Sequence, residues 1–245
     1  MNPPKVLFFD AAGTLFDVNG SVAEIYLSYA GKYGVKQTKD LLVQLRGAFA
    51  RAFRDAPPPV FAASEPAEIK RCERLWWFDI VHNVFYRIGM FDRFDDYFDE
   101  IFEAFADANH WVLYPDTLEV LNRIRQRGIE LGIVSNFDTR LFGVLRGLDI
   151  AHLFDSVTIA SIAHAAKPSP RIFEVALEKH VMDPQEAWHI GDSLLDDVEG
   201  ARKAGLTPVL LDRSDRGGAA SRTESSSIWT IHTLHQLEAL LNIHA

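Results

Sequence analysis

The apolar positions of the chain fall into three textures. Residues 6–16 carry a short apolar run, VLFF, that stops on Asp10 and a Gly-Thr turn, so a buried strand and a turn are expected there. Residues 17–112 read as nearly all helix. Within them Phe94, Tyr97, Phe98, Ile101, Phe102 and Phe105 fall near i, i+3, i+4 and i+7, the stripe of a helix packed into its own core. A proline-rich loop, DAPPPVFAASEP at Asp55–Pro66, splits these helices into two groups. Residues 113–243 alternate between the two periods. IELGIVS, SVTIA, AWHIGD, TPVLLD and SIWTI are strand-like runs, and DTLEVLNRIRQRG, SPRIFEVALEKH, DDVEGARKAG and HTLHQLEALLNI are helix-like.

Local signals place several helix ends. Asp116 is the expected N-cap of its helix, with Glu119 completing a capping box, Leu118, Leu121 and Ile124 on the buried face, and Gly128 as the stop. Ser169 caps the next helix and Pro170 takes its first position. Gly205 ends DDVEGARKAG. The polar tract RSDRGGAASRTESSS, 213–227, reads as a loop between strands.

Strands alternating with helices of about ten residues imply right-handed crossovers and a mostly parallel sheet. The strand runs lack polar alternation, as expected where both faces of a sheet are covered. The first strand is separated from its partners by the helical stretch. The expected division is therefore an α/β core made of 1–16 and 113–245, with a helical module inserted at 17–112. Such an insertion sits beside Asp10.

Charge and composition narrow the function. The chain has 245 residues and a formal net charge of −9, which disfavours binding to nucleic-acid backbones but admits a small phosphorylated molecule in a local pocket. Its single cysteine, Cys72, can form no internal disulfide and reads as a small helix residue. The apolar run of MNPPKVLFF meets Asp10 too soon for a signal peptide, and no stretch reaches membrane-span length. A cytoplasmic protein without a membrane partner is expected.

In open parallel sheets ligands bind at the carboxyl ends of strands. The polar residues at those ends are Asp10, then Ser135 with Asn136, then Asp192 with Asp196 and Asp197. Lys167 follows SVTIA, carried by the stiff KPSP segment. Several carboxylates converging on one lysine are unfavourable without a further cation, and oxygen-only ligands point to Mg²⁺. A carboxylate, a cation, a lysine and a hydroxyl around one point also make a receptor for a phosphoryl group in transfer.

Four segments carry a family resemblance: FFDAAGTL, GIVSN, KPSPRIF and HIGDSLLDDVEGARKAG. In order and type they resemble the four motifs of the haloacid dehalogenase (HAD) superfamily, and the helical insertion matches its subfamily I C1 cap. RLWWFDIV and SNFDTRL add a resemblance to the rhythmically-expressed-gene-two-like branch. The resemblance implies a HAD-type Rossmannoid three-layer core with an all-helical cap, and hydrolysis through an aspartyl-phosphate. It makes Asp10 the nucleophile and a metal ligand, with the Ala12 carbonyl and Asp192 as further Mg²⁺ ligands and Asp197 steadying the metal's water shell. Ser135, Asn136, Lys167 and the backbone of Ala12 and Gly13 would hold the phosphoryl group, and Thr14 the turn.

Two departures stand out. Family phosphatases carry an aspartate two residues after the nucleophile, where this chain has Ala12. That group protonates the leaving group and then activates water. The branch also usually has glycine where this chain has His164, which is either a loop residue facing water or a substitute acid–base group. Cap lysines Lys32, Lys36 and Lys39 read as a solvated turn rather than Schiff-base formers, and Arg46, Arg51 and Arg54 share one helical side that either faces the site or is simply wet. Three readings stay open at this point: a Mg²⁺-dependent phosphatase, a dehalogenase or phosphonatase-type hydrolase of the same family, and a catalytically weak phosphate-binding protein.

Overall fold

The computed structural model describes residues 4–215, 218–223 and 228–243. In chain order its strands are β1 (Val6–Phe9), β2 (Phe16–Val18), β3 (Trp111–Leu113), β4 (Glu130–Ser135), β5 (Ser156–Ile159), β6 (Ala187–Gly191), β7 (Thr207–Leu211), β8 (Ser221–Thr223) and β9 (Ile228–Ile231). The helices are α1 (Val22–Gly31), α2 (Lys39–Asp55), α3 (Pro66–Ile88), α4 (Phe94–Ala104), α5 (Thr117–Gln126), α6 (Leu141–Gly147), α7 (Ala160–Ala163), α8 (Pro170–His180), α9 (Gly200–Lys203) and α10 (His235–Ile243).

The main sheet has the order β5-β4-β1-β6-β7-β9-β8, parallel except for β8 at the edge. Its centre is β1, which pairs with β4 on one side (Phe9 opposite Ile133) and with β6 on the other (Phe9 opposite Ile190). All four β1 side chains are buried, and they divide between two cores. Leu7 and Phe9 join a cluster with Leu121 and Ile124 of α5 and Leu237 and Leu241 of α10. Val6 and Phe8 join Ile172, Phe173 and Ala176 of α8 and Ala201 of α9. Helices on both faces explain why VLFF has no polar alternation. The order also places the carboxyl ends of β1, β4 and β6 side by side.

Between β2 and β3 the described chain is helical but for loops and a 3₁₀ turn at Ala108–His110, and α1–α4 enclose the aromatic stripe. Phe94, Tyr97, Phe98, Ile101 and Phe105 are buried and Phe102 is half-buried. One feature corrects the expectation of nearly all helix over 17–112. Phe16–Val18 and Trp111–Leu113 pair antiparallel, Phe16 opposite Leu113, so a two-stranded ribbon closes the neck of the insertion. Its inward Phe16 and Trp111 rings meet edge-to-face at 5.4 Å, which gives the neck an apolar lock.

Three other local expectations change. Asp116 precedes α5 but makes no side-chain cap bond. Its carboxylate instead pairs with Arg213 (3.1 and 3.2 Å) and accepts the Leu234 amide at 2.7 Å, because the loop after β7 brings a guanidinium to it. Leu118 is 46% exposed, and Thr117 and Val120 join Leu121 and Ile124 on the buried face, one phase step from the expected stripe. The segment expected as one loop at 213–227 contains β8, while 216–217 and 224–227 lie outside the described residues. Ser169 and Pro170 cap α8 as expected, Ser169 accepting the Arg171 amide.

At the amino ends of β4 and β5 a polar chain ties α8 to the sheet. Ser156 Oγ lies 2.6 Å from His180 Nε2, and His180 Nδ1 meets the Glu130 carboxylate. The ring stacks edge-on to Phe8 at 5.2 Å. His180→Ala removes both polar contacts and this packing, and is expected to lower the unfolding free energy by about 2–4 kcal/mol, measured by urea denaturation.

Candidate active site

The β1 ladder continues one step past the strand, with the Asp10 amide donating to Ile190 O at 2.9 Å. The chain then folds back on itself. Leu15 N donates to Ala11 O and Gly13 N to Phe16 O, both at 2.8 Å, and Gly13 has φ +86°. The left-handed backbone there favours glycine, and so does the space. A Cβ on Gly13 would lie 2.6 Å from Asp192 Oδ2, so the turn and the Asp192 carboxylate are in contact only because that position is bare.

A second bare position works on the other side. A Cβ on Gly191 would lie 2.1 Å from Asp197 Cγ. Asp197 itself is reached through a widened turn: both the Asp197 and Val198 amides donate to Ser193 O, at 3.0 and 3.1 Å, so Leu194–Glu199 is π-helical before α9 begins. This corrects the plain helix expected over DDVEGARKAG. The widening lets the Asp197 carboxylate turn back to accept the Ser193 amide at 3.0 Å. Asp197, and not Asp196, joins the cluster with Asp10 and Asp192.

Lys167 is held at its backbone by Asn136. The Asn136 Oδ1 accepts the Lys167 amide at 2.8 Å and its Nδ2 donates to the Lys167 carbonyl at 3.0 Å. From this clamp the buried Lys167 side chain reaches Asp10 Oδ1 at 2.5 Å and Asp197 Oδ1 at 2.7 Å. His189 Nε2, 2.8 Å away, completes the Asp197 Oδ1 contacts.

The charge balance follows from these distances. Burial lowers the Lys167 ammonium, but Asp10 and Asp197 more than offset it, so Lys167 is held raised and charged. Burial raises Asp197, yet Lys167 and His189 outweigh it and its carboxyl is lowered. Asp10 is raised, by burial first, with Lys167 opposing and Asp197 adding to the rise. Asp192 is pushed up to about 6 by burial and by the charges of Asp10 and Asp197. One lysine thus faces three acids, and the deficit falls on Asp10 and Asp192.

The donor set fits a hard divalent cation. Asp10, Asp192 and Asp197 each offer a carboxylate oxygen, all within 4.8 Å of one another. With both Asp197 oxygens already accepting hydrogen bonds, the oxygens of Asp10 and the exposed Asp192 are the better direct ligands.

The remaining expected residues divide. Ser135 ends β4, buried, with Oγ accepting the Phe137 amide at 3.3 Å. The Asn136 side-chain amide is engaged on the Lys167 backbone, since the two loops lie close enough for a paired hydrogen bond. Thr14 is fully buried, and among the described residues its Oγ1 has no partner. Its carbonyl accepts from Arg213 at 2.6 Å, so the turn is held partly from outside by a residue the sequence reading did not single out. Ala12 backs onto Phe16 in the turn. His164 is exposed, has φ +51°, and its Nδ1 lies 3.1 Å from the Phe61 carbonyl in the proline-rich loop. Arg46 pairs with Glu24 and Arg54 with Asp55, and Arg51 is exposed. His189 was missed because a histidine inside AWHIGD reads as strand; only its spacing of two from Gly191 places it on the face toward Asp197.

Comparison with known proteins identifies the family of the chain. The sequence pattern of the haloacid dehalogenase-like hydrolases matches residues 4–205. Haloacid dehalogenase-like hydrolase domain-containing protein 3 of Mus musculus is 32% identical over 241 residues, 97% of this chain and 92% of that protein. Phosphoserine phosphatase of Thermus thermophilus is 37% identical over 119 residues, 48% of each chain. The HAD-hydrolase YfnB of Bacillus subtilis, solved bound to magnesium, superposes with a TM-score of 0.73 at 16% identity, covering 99% of this chain and 100% of that one. The chain belongs to the haloacid dehalogenase-like hydrolase family.

Proposed function

We propose that the protein is a Mg²⁺-dependent phosphohydrolase that acts on a small phosphorylated molecule through an aspartyl-phosphate on Asp10. The observation that carries this reading is the Lys167 ammonium shared between Asp10 (2.5 Å) and Asp197 (2.7 Å), with Asp192 beside them. When bound, Mg²⁺ would supply positive charge against the phosphoryl oxygens and the surplus carboxylates, held by Asp10, Asp192 and the Ala12 carbonyl, with Asp197 behind.

The chain's own groups then have definite tasks. Lys167 holds Asp10 Oδ1, which leaves Oδ2 to attack phosphorus in line. The bond to the leaving oxygen breaks and its electron pair departs with that oxygen. Ser135 Oγ and the Lys167 ammonium face the transferred oxygens. Water then attacks the aspartyl-phosphate at phosphorus, the bond to Asp10 breaks, and orthophosphate leaves with the carboxylate restored.

Ala12 supplies no proton in either step. A general acid–base group of this kind is worth about 10²–10⁴ in rate. Its absence favours substrates whose leaving group departs as a stable anion, such as acyl phosphates. His164 is exposed and bonded to Phe61, so this reading gives it no proton-transfer role. A phosphonatase route needs a cap lysine free to form a Schiff base; Lys32 is paired with Glu100, and Lys36 and Lys39 are exposed. Carbon–halogen hydrolysis requires no cation and would leave the carboxylates unbalanced. The single cysteine suits a reducing, cytoplasmic setting.

Acetyl phosphate and p-nitrophenyl phosphate are expected to turn over with Mg²⁺, to stop with EDTA, and to recover when Mg²⁺ is returned. Asp10→Asn is expected to abolish turnover while circular dichroism stays unchanged. Absence of turnover, with Mg²⁺ and orthophosphate still binding by calorimetry, would identify a phosphate-binding protein instead. Ala12→Asp is expected to raise kcat on alkyl phosphates by about 10²-fold or more and to change acetyl phosphate hydrolysis little. An equal effect on both substrates would sink the leaving-group account.

A further inference from the structure

RLWWFDIV and the 137–141 part of SNFDTRL have no task in the mechanism above, and in the fold they meet. Glu73 of α3, the residue just before RLWWFDIV, is 2% exposed and enters the core from the helical cap. Its Oε1 accepts the Thr139 amide at 3.0 Å and the Ser161 hydroxyl at 2.5 Å, and its Oε2 accepts the Thr139 hydroxyl. One turn along α3, Trp77 Nε1 donates to Asp138 Oδ2 at 2.6 Å. Asp138 is held in turn by Arg140, whose guanidinium lies over the Trp77 and Phe102 rings and donates to the Phe102 carbonyl at 2.9 Å.

The placement of these contacts matters more than their number. Thr139 lies four residues after Ser135, on the loop leaving β4. Ser161 lies in α7, six residues before Lys167, on the path leaving β5. Glu73 therefore bridges the two loops that carry the phosphate-facing hydroxyl and the lysine. Asn136 closes the same gap from the other side through its two bonds to the Lys167 backbone. Glu73 thus bonds the 136–139 loop at Thr139, and at its other end the same loop bonds the Lys167 backbone through Asn136, while Lys167 bonds Asp10.

A buried carboxylate is a poor adhesive. Among the described residues no cation pairs with Glu73; burial raises its carboxyl, with only the Ser161 and Thr139 hydrogen bonds opposing. An apolar side chain would join cap to core at less cost. What a carboxylate with directional donors adds is register, because each bond is satisfied in one geometry only. We propose that Glu73, with Trp77, is a positioning residue that sets the Ser135 and Lys167 loops for phosphoryl binding, so that seating of the cap and assembly of the site are one event. This rests on the phosphohydrolase reading for its ligand and goes beyond it in assigning the cap a part in building the core site.

The test uses the full-length protein with Thr139→Val, Thr139→Ser, Ser161→Ala and Glu73→Gln. Binding of orthophosphate in saturating Mg²⁺ is measured by calorimetry, and amide exchange is followed over 135–141 and 160–167. Thr139→Val and Glu73→Gln are expected to weaken orthophosphate about tenfold and to speed exchange in both loops, while Thr139→Ser, which keeps the hydroxyl, restores both. Affinity within twofold of wild type for Thr139→Val and Glu73→Gln would overturn the proposal, whatever their melting temperatures. If the wild-type protein binds no orthophosphate, the phosphohydrolase reading fails, and exchange alone decides the coupling. Faster exchange in 160–167 on Thr139→Val supports it, because that substitution lies on the other loop, and unchanged exchange there ends it.

Discussion

The Lys167 ammonium, buried between Asp10 and Asp197, is the contact on which the rest of the site depends. A buried charge survives only when paired and hydrogen-bonded. Here the pairing joins three segments that are far apart in sequence: the end of β1, the loop after β5 and the turn after β6. Each arrives by a different device. Gly13 leaves room for Asp192, Gly191 leaves room for Asp197, and the Asn136 clamp sets the Lys167 backbone. Moving the Lys167 loop or the Asp197 turn breaks this pairing.

One lysine among three acids leaves the site short of positive charge. Asp197 is served best, because His189 shares it, and Asp10 and Asp192 are raised for want of a counter-charge. That imbalance is a binding property. In the phosphohydrolase proposed above, a cation would make up that deficit and, with Lys167, would stabilise the oxygens of an anion in transfer. β1, β4 and β6 end together at the centre of the sheet, and the helical cap begins after β2, just beyond the turn that follows Asp10.

The cap is joined to the core by an apolar ribbon at its neck and by a polar contact at α3. The ribbon, closed by Phe16 on Trp111, fixes where the cap enters. The α3 contact, through Glu73 and Trp77, fixes which loops it touches. Arg213 supports the opposite side of the same site by bonding the Thr14 carbonyl and the Asp116 carboxylate together.

Much of this was readable in the chain. Short-range signals reach the strand period, the helix stops at Gly128 and Gly205, the Ser169–Pro170 cap and the order of the four motifs. They suffice for the parallel α/β core, the inserted helices and the identity of Asp10, Lys167 and Asp192 as convergent groups, because strand-end chemistry is local to each strand. Partner choice is not local. Asp116 looked like a cap and became the counter-ion of a residue 97 positions away, and the Asn136 side chain turned out to clamp the Lys167 backbone. No local signal marks Glu73, and His189 reads as a strand residue; only packing buries them against Thr139 and Asp197. Sequence determined which groups this protein brings to its sheet edge; the tertiary structure decided which of them hold one another, since a hydrogen bond is chosen among whatever donors the fold delivers within about 3 Å.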